Sequence, residues 1–274
     1  MIDEMLPRKL KKLQGLLQSY GQVAIAFSAG VDSTFLLKVA RDFMGKERVL
    51  ALTVRSVFVP SADIRDAQAF CSREGIRHRI IDIDPLLYYD VRTNPPQRCY
   101  FCKRLIFQRL REIAGAENIV HLLDGTNVDD LQDYRPGHKA LAELGVLSPL
   151  REAGFTKADI RVLSQTLQLK TASKPSAACL ASRIPYREEL TEAKLKRVEA
   201  AEVFLHDEGF TQVRVRSHGD LARLELLPQD MARFMAADGC YEKAVHKLKN
   251  LGFTYVTLDL EGYRTGSLNQ ALKG

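Results

Sequence analysis

Cys99-Tyr100-Phe101-Cys102 is the densest chemistry in the chain. It opens a segment in which Leu105, Ile106, Leu110 and Ile113 have helical spacing. At a helix start, the dipole and nearby Arg98, Lys103 and Arg104 favour thiolates. Cys179 is a third candidate thiol, far along the sequence. Three uses of such a set compete. Structural zinc wants four closed ligands, and no fourth is evident. A dithiol relay needs only Cys99 and Cys102. An iron–sulfur cluster on three cysteines leaves one iron open for chemistry. Cys71 and Cys240 stand beside small and apolar neighbours and read as packing residues.

The second constellation is Ser28-Ala29-Gly30-Val31-Asp32-Ser33. It follows the apolar run Val23–Phe27 and precedes a stretch of helical periodicity, so it reads as strand, tight turn, helix. Backbone N–H groups at such a helix start hold phosphate. No GxxxxGK[ST] occurs, so the lysine of a Walker loop is missing. Asp32 beside phosphate makes sense with Mg2+ between them. Ala29 is tolerable in this turn if its φ is negative.

The elements around these residues alternate. Strands are expected at 48–54, 78–83 and 118–123, and helices at 34–40, from Ser61 as N-cap to about 75, at 99–114, 131–144 and 156–167. An amphipathic helix with Leu6, Leu10, Leu13 and Leu17 on one face precedes them. This pattern predicts an α/β fold, a parallel sheet with helices on both faces. Ligands of such sheets lie beyond the carboxyl ends of the strands, where the turn 28–33, Val54 and Asp124-Gly125-Thr126-Asn127 all fall. Asp129 or Asp130 is placed near a metal or in the first turn of the next helix. His121 reads as a core residue. Residues 170–186 read as a long functional loop. Beyond it come a charged helix at 190–206, strands at 212–217, 222–227 and 255–258, and a helix at 241–251. The expected division is residues 1–185 and a smaller α+β domain, 186–274. Arg214 and Arg216 share one strand face. They read either as anion ligands or as a solvent face.

The 274 residues carry a formal net charge of +6, which suits anionic substrates without distinguishing nucleotides from RNA. No apolar run is long enough to span a membrane, and the N-terminus lacks the pattern of a secretory signal. The expected location is the cytoplasm.

The turn Ser28–Ser33 resembles the SGGxDS loop of PP-loop ATP pyrophosphatases, with Ala29 in place of the first glycine. The stretches SAGVDST at 28–34, RCYFCK at 98–103, DGTNVDD at 124–130, AACLASRIPY at 177–186 and GYRTGSLN at 262–269 together resemble the LarE family. LarE proteins are ATP-dependent sulfur transferases that make the organic ligand of a nickel-pincer cofactor. The resemblance implies that Ser28, Ala29, Gly30, Val31, Asp32, Ser33, Val54, Gly125, Thr126 and Asn127 bind ATP, with Asp32 on Mg2+. It implies a small-molecule substrate, pyridinium-3,5-biscarboxylic acid mononucleotide, whose carboxylate is adenylated and then thiolated. Ser182, Arg183, Arg214, Arg216 and Arg264 are the implied substrate ligands. The family has two sulfur sources. In one, the cysteine at the position of Cys179 is sacrificed. In the other, three cysteines hold a [4Fe-4S] cluster, and the presence of Cys99, Cys102 and Cys179 favours that branch. A homo-oligomer is expected, and neither a nucleic-acid nor a membrane partner. PP-loop tRNA thiolation is the rival activity; no added RNA-binding module or long basic stretch supports it.

Overall fold

The computed structural model describes residues 2–132, 136–175, 178–236, 239–264 and 266–268. The described chain forms two compact units, one of residues 1–85 with 97–177, the other of residues 86–96 with 178–274. The sequence reading divides the chain near 185. The segment 86–96 departs from its expectation by joining the second unit.

The first unit is built on four parallel strands, β1 (Val23–Ala26), β2 (Val49–Arg55), β3 (Arg77–Asp82) and β4 (His121–Leu123), in the order β3-β2-β1-β4. Its helices are α1 (Ile2–Tyr20), α2 (Val31–Met44) and α3 (Ser61–Glu74); the short α4 (Tyr89–Arg92) belongs to the second unit; then follow α5 (Arg98–Ala116), α6 (Gly137–Glu143), α7 (Pro149–Glu152) and α8 (Lys157–Thr166). Strand side chains alternate between two apolar layers. Val23, Ile25, Val49 and Ala51 join Leu13 and Leu17 of α1, Phe35 and Leu36 of α2, and Phe70 of α3. Ala24, Leu50, Leu52 and Leu122 join Phe107 and Leu110 of α5 and Leu141 of α6. A sheet covered on both faces needs such nearly continuous apolar strands.

The second unit holds α9 (Glu192–Asp207), β5 (Val213–His218), β6 (Leu221–Leu226), α10 (Pro228–Met235), α11 (Tyr241–Asn250) and β7 (Tyr255–Leu258). Strand β5 is antiparallel to β6, and β6 is parallel to β7. Its core is Leu205, Phe210, Val213, Val215, Leu224, Leu226, Phe234, Leu248 and Phe253.

Three local expectations need correction. Pro60, not Ser61, is the N-cap of α3; Ser61 is its first helical residue. The helix expected at 131–144 occupies Gly137–Glu143, and residues 133–135 lie outside the described ones. Arg214 and Arg216 are not on a solvent face, being 6% and 7% exposed. Ala177, Thr265 and Asn269, each part of a quoted motif, are also outside the described residues. Cys71 and Cys240 are buried as expected, and burial pushes the Cys71 thiol up to about 12. His121 is half-buried against the Tyr20 ring at 5.1 Å.

Candidate active site

Strand order places β1 and β4 side by side while β2 lies on the other flank of β1. The reversal of strand order between β1 and β4 marks a switch point, and ligands of such sheets bind beside it at the carboxyl ends. A cavity of about 590 Å³ lies there, lined by Ser28, Gly30–Ser33, Leu52–Val54 and Asp124–Asn127 among others. Every residue expected to bind ATP except Ala29 lines it.

Gly30 is the N-cap of α2 and offers no side-chain cap, so the dipole end of the helix faces the cavity uncapped. Ser28 and Ser33 brace the turn: their hydroxyls are 3.1 Å apart, and Ser28 N–H donates to Ser33 Oγ at 3.3 Å. Gly125 passes directly over this turn. A Cβ there would lie 2.9 Å from Ser33 N and 3.2 Å from Ser33 Cα. Asp124 accepts from Ser148 Oγ at 2.6 Å and from Thr126 Oγ1, which fixes the loop after β4. Asn127 N–H donates to Asp130 Oδ2 at 3.0 Å, so Asp130 closes that loop.

Ala29 adopts a φ of 53°, contrary to the negative φ expected for it. The left-handed region costs an alanine about 1 kcal/mol relative to glycine. The surroundings hold it there: Ala29 is 2% exposed, and its carbonyl accepts from Lys174 Nζ at 3.2 Å. Ala29→Gly is expected to leave nucleotide binding intact and to raise unfolding stability by up to about 1 kcal/mol, less the added unfolded-state entropy of glycine. A thermal melt with and without ATP checks this, and a loss of stability contradicts it.

The turn has no lysine of its own, but lysines from distant segments reach the cavity. Lys103 of α5, Lys157 of α8 and Lys174 all line the cavity. Lys174 Nζ pairs with Asp63 Oδ1 at 2.8 Å and Asp66 Oδ2 at 2.9 Å. Burial works against its charge, but these two carboxylates outweigh it and push its pKa up. Lys157 pairs with Asp32 Oδ2, while Asp32 Oδ1 is buried with no partner. An orphaned carboxylate oxygen beside an uncapped helix end fits Mg2+ and phosphate. The residues present suit a metal–triphosphate, with Asp32 as metal ligand.

The cysteine pair belongs to this unit. Cys99 and Cys102 lie one turn apart at the start of α5, and Lys103, Ile106, Phe107 and Leu110 of the same helix line the cavity. Arg98 is buried, and its guanidinium lies 3.9 Å from Cys99 Sγ. Cys179 is exposed and belongs to the second unit. Among the described residues, no three His, Cys, Asp or Glu side chains are grouped to hold a metal ion.

In the second unit the turn after Cys179 is held by buried charge. Arg183 forms a two-pronged pair with Glu202, at 2.9 and 3.0 Å, and donates to the carbonyls of Ala178 and Cys179 at 2.7 and 3.1 Å. Arg216 pairs in the same way with Glu225, at 3.0 and 2.9 Å, and donates to the Ser182 carbonyl at 2.7 Å and to Ser267 Oγ at 2.8 Å. Arg214 lies 5.3 Å from the Tyr263 ring centre, and burial and the Arg183 charge push its pKa down. Arg264 pairs with Glu261 at 2.5 Å. Glu202 and Glu225 have no sequence signal of their own; α9 and β6 read only as a charged helix and a strand.

Residues 7–119 match the NAD synthase family model. The pyridinium-3,5-bisthiocarboxylic acid mononucleotide synthase of Lactiplantibacillus plantarum is 36% identical over 97% of this chain and 96% of its own length. The chain belongs to the LarE family. An uncharacterized protein of Synechocystis sp. is 42% identical over 98% of this chain and 99% of its own, and one of Methanocaldococcus jannaschii is 28% identical over 94% and 98%. As a LarE protein the chain is an enzyme, an ATP-dependent sulfur transferase of the PP-loop group that uses ATP with Mg2+. No described helix is long and apolar enough to cross a membrane.

Proposed function

We propose that this LarE protein adenylates a carboxylate of pyridinium-3,5-biscarboxylic acid mononucleotide and replaces the AMP with sulfur, twice, to give the bisthiocarboxylic acid mononucleotide. The observation that carries the reading is the near full-length match to the synthase of that product. The chemistry balances. A substrate carboxylate oxygen attacks the α-phosphorus of ATP, and the bond to the β-phosphate oxygen breaks with loss of pyrophosphate. A sulfide-level nucleophile then attacks the acyl carbon, and AMP leaves with the former carboxylate oxygen.

Ser28–Ser33, Val54 and Gly125–Asn127 cradle the nucleotide in this reading, and Asp32 holds Mg2+. The substrate phosphate and its second carboxylate go to Ser182, Arg214 and Arg264; Arg216, like Arg183, is already held by a buried glutamate and a backbone carbonyl. Support comes from charge: among the described residues of the second unit, the buried Arg183, Arg214 and Arg216 face two buried carboxylates, Glu202 and Glu225. An anion beside Arg214 offsets the burial and the Arg183 repulsion that push its pKa down. Arg183 is already taken up by Glu202 and the 178–182 backbone, so it positions Cys179 rather than binding substrate.

We further propose Cys99, Cys102 and Cys179 as holders of a [4Fe-4S] cluster. Such a cluster supplies sulfide when bound. The pair on α5 suits two ligands, while the described residues group no three, so no step above runs through it. Sacrifice of Cys179 is the second reading, favoured by its exposure. Action in the cytoplasm, where thiols stay reduced, and a homo-oligomeric state complete the proposal.

Anaerobic reconstitution with iron and sulfide, followed by mass spectrometry of product and protein, tests both readings. A doubly thiolated product with intact Cys179 over several turnovers is expected, with iron lost in Cys99→Ala. Stoichiometric dehydroalanine at 179 without bound iron overturns the cluster. Absence of any thiolated product from the biscarboxylic mononucleotide overturns the substrate.

A further inference from the structure

Asp32 is an awkward residue for an anion site. It stands in the first turn of α2, where phosphate is to bind, and its negative charge repels phosphate until a cation intervenes. The structure supplies that cation from elsewhere in the chain. Lys157 reaches across from the first position of α8 and pairs with Asp32 Oδ2. Its backbone is pinned. Thr156 and Asp159 form a reciprocal capping box, Lys9 holds Asp159 at 2.6 Å, and Lys157 N–H donates to Asp129 Oδ2 at 2.7 Å. The loop below is tied to the same segment by Val128 N–H to Phe155 O at 2.9 Å and Arg151 N–H to Thr126 O at 3.1 Å. Only the four-carbon stem of Lys157 is left to move, and its side chain is 31% exposed along the cavity. Lys174 is held differently, by two carboxylates outside the turn and a carbonyl.

We infer that Lys157 is an exchange cation of the nucleotide site. It neutralises Asp32 while the cradle is empty, then swings to the triphosphate when Asp32 turns to the divalent cation that enters with ATP. The pair is broken and remade without a net change in charge on the protein. A pinned backbone with a mobile ammonium gives this exchange a short path. Lys157 is thereby a positioning residue that sets how strongly ATP binding depends on metal. The inference rests on the reading of this cavity as the ATP site.

Equilibrium titration of the full chain with ATP, with and without Mg2+, separates the two. Lys157→Met is expected to weaken Mg2+-dependent ATP binding about tenfold, a loss typical of one charge-assisted contact. Lys157→Arg, which keeps the charge, is expected to lose less. Asp32→Asn is expected to bind metal-free ATP several-fold more tightly than wild type, because Lys157 is set free. In the Asp32→Asn/Lys157→Met double variant that gain disappears. Mn2+ alone, followed by EPR, is expected to bind Lys157→Met more tightly than wild type, since the competing ammonium is gone. A gain that survives in the double variant, or unchanged Mg2+·ATP affinity in a Lys157→Met protein with wild-type melting, overturns the exchange role. A wild-type chain that binds no ATP overturns the ATP site, and the exchange with it.

Discussion

Replacing Glu202 with alanine is expected to destabilise the second unit by about 3–5 kcal/mol, the range for removing one partner of a buried ion pair. Glu202 is 6% exposed and accepts from Arg183 through both oxygens and from Val215 N–H at 3.0 Å. Alanine leaves the Arg183 guanidinium buried without its counter-charge and next to Arg214. It also frees the guanidinium that holds the Ala178 and Cys179 carbonyls, so sulfur transfer falls along with stability. Glu202→Gln keeps the shape and an acceptor for Val215 but loses the charge, and an intermediate loss is expected. The pH dependence has a definite sign. Burial alone raises the Glu202 pKa, but Arg183, by charge and hydrogen bond, then Arg214 and Val215 N–H, outweigh it and hold the carboxyl below its ordinary 4.5. The stabilisation is therefore fully present above pH 4.5 and fades as pH falls through the lower folded-state value. Urea midpoints of wild type and Glu202→Gln between pH 7 and 3 check this. The gap between them should be constant above pH 5 and should close in acid. An equal midpoint at neutral pH contradicts the role.

The contrast between the two units explains what could be read from the sequence. In the first, β1, the turn 28–33 and α2 are consecutive, so local periodicity and one short motif mark the turn that lines the cavity. The partners of that cradle are not local. Lys157 is paired with a residue 125 positions away and Lys174 with one 111 away, and neither has a pattern around it. Lys103 stands beside Cys102, where its charge reads as support for thiolates; that α5 turns it toward the cavity at the strand ends follows only from helix packing. Ala29 shows the limit from the other side. Residue type argues for a negative φ, whereas the turn imposes 53° and the surrounding contacts hold it. In the second unit, β5 alternates Val with Arg as a half-exposed strand does, yet both arginines are buried: Glu225 of β6 pairs with Arg216, and Arg214 lies over the Tyr263 ring within the field of Glu202 of α9. Periodicity reports side-chain polarity, and buried ion pairs make a polar face behave as a core face.

Gly125→Ala is expected to lower ATP affinity at least tenfold, about 1.4 kcal/mol, while leaving the sheet folded. The reason is steric and local. The new methyl would lie 2.9 Å from Ser33 N, 3.2 Å from Ser33 Cα and 3.3 Å from the Asp32 carbonyl carbon. These are backbone atoms of the first turn of α2, so no side chain can rotate away. Overpacking of this kind costs about 1–3 kcal/mol, and the strain is relieved by moving the loop after β4 off the helix end. That movement opens the cradle on the side where Thr126 and Asn127 line the cavity. The loop is anchored behind by Asp124, through Ser148 and Thr126, so the shift concentrates at Gly125 itself. Gly115→Ala serves as the control. It lies within α5 with nothing within 4 Å of its added Cβ, and the change should stabilise that helix slightly. Calorimetric titration with Mg2+·ATP on both variants decides the matter. Wild-type affinity in Gly125→Ala would mean that the nucleotide phosphates do not sit between α2 and the β4 loop, and the ATP site would have to be sought elsewhere.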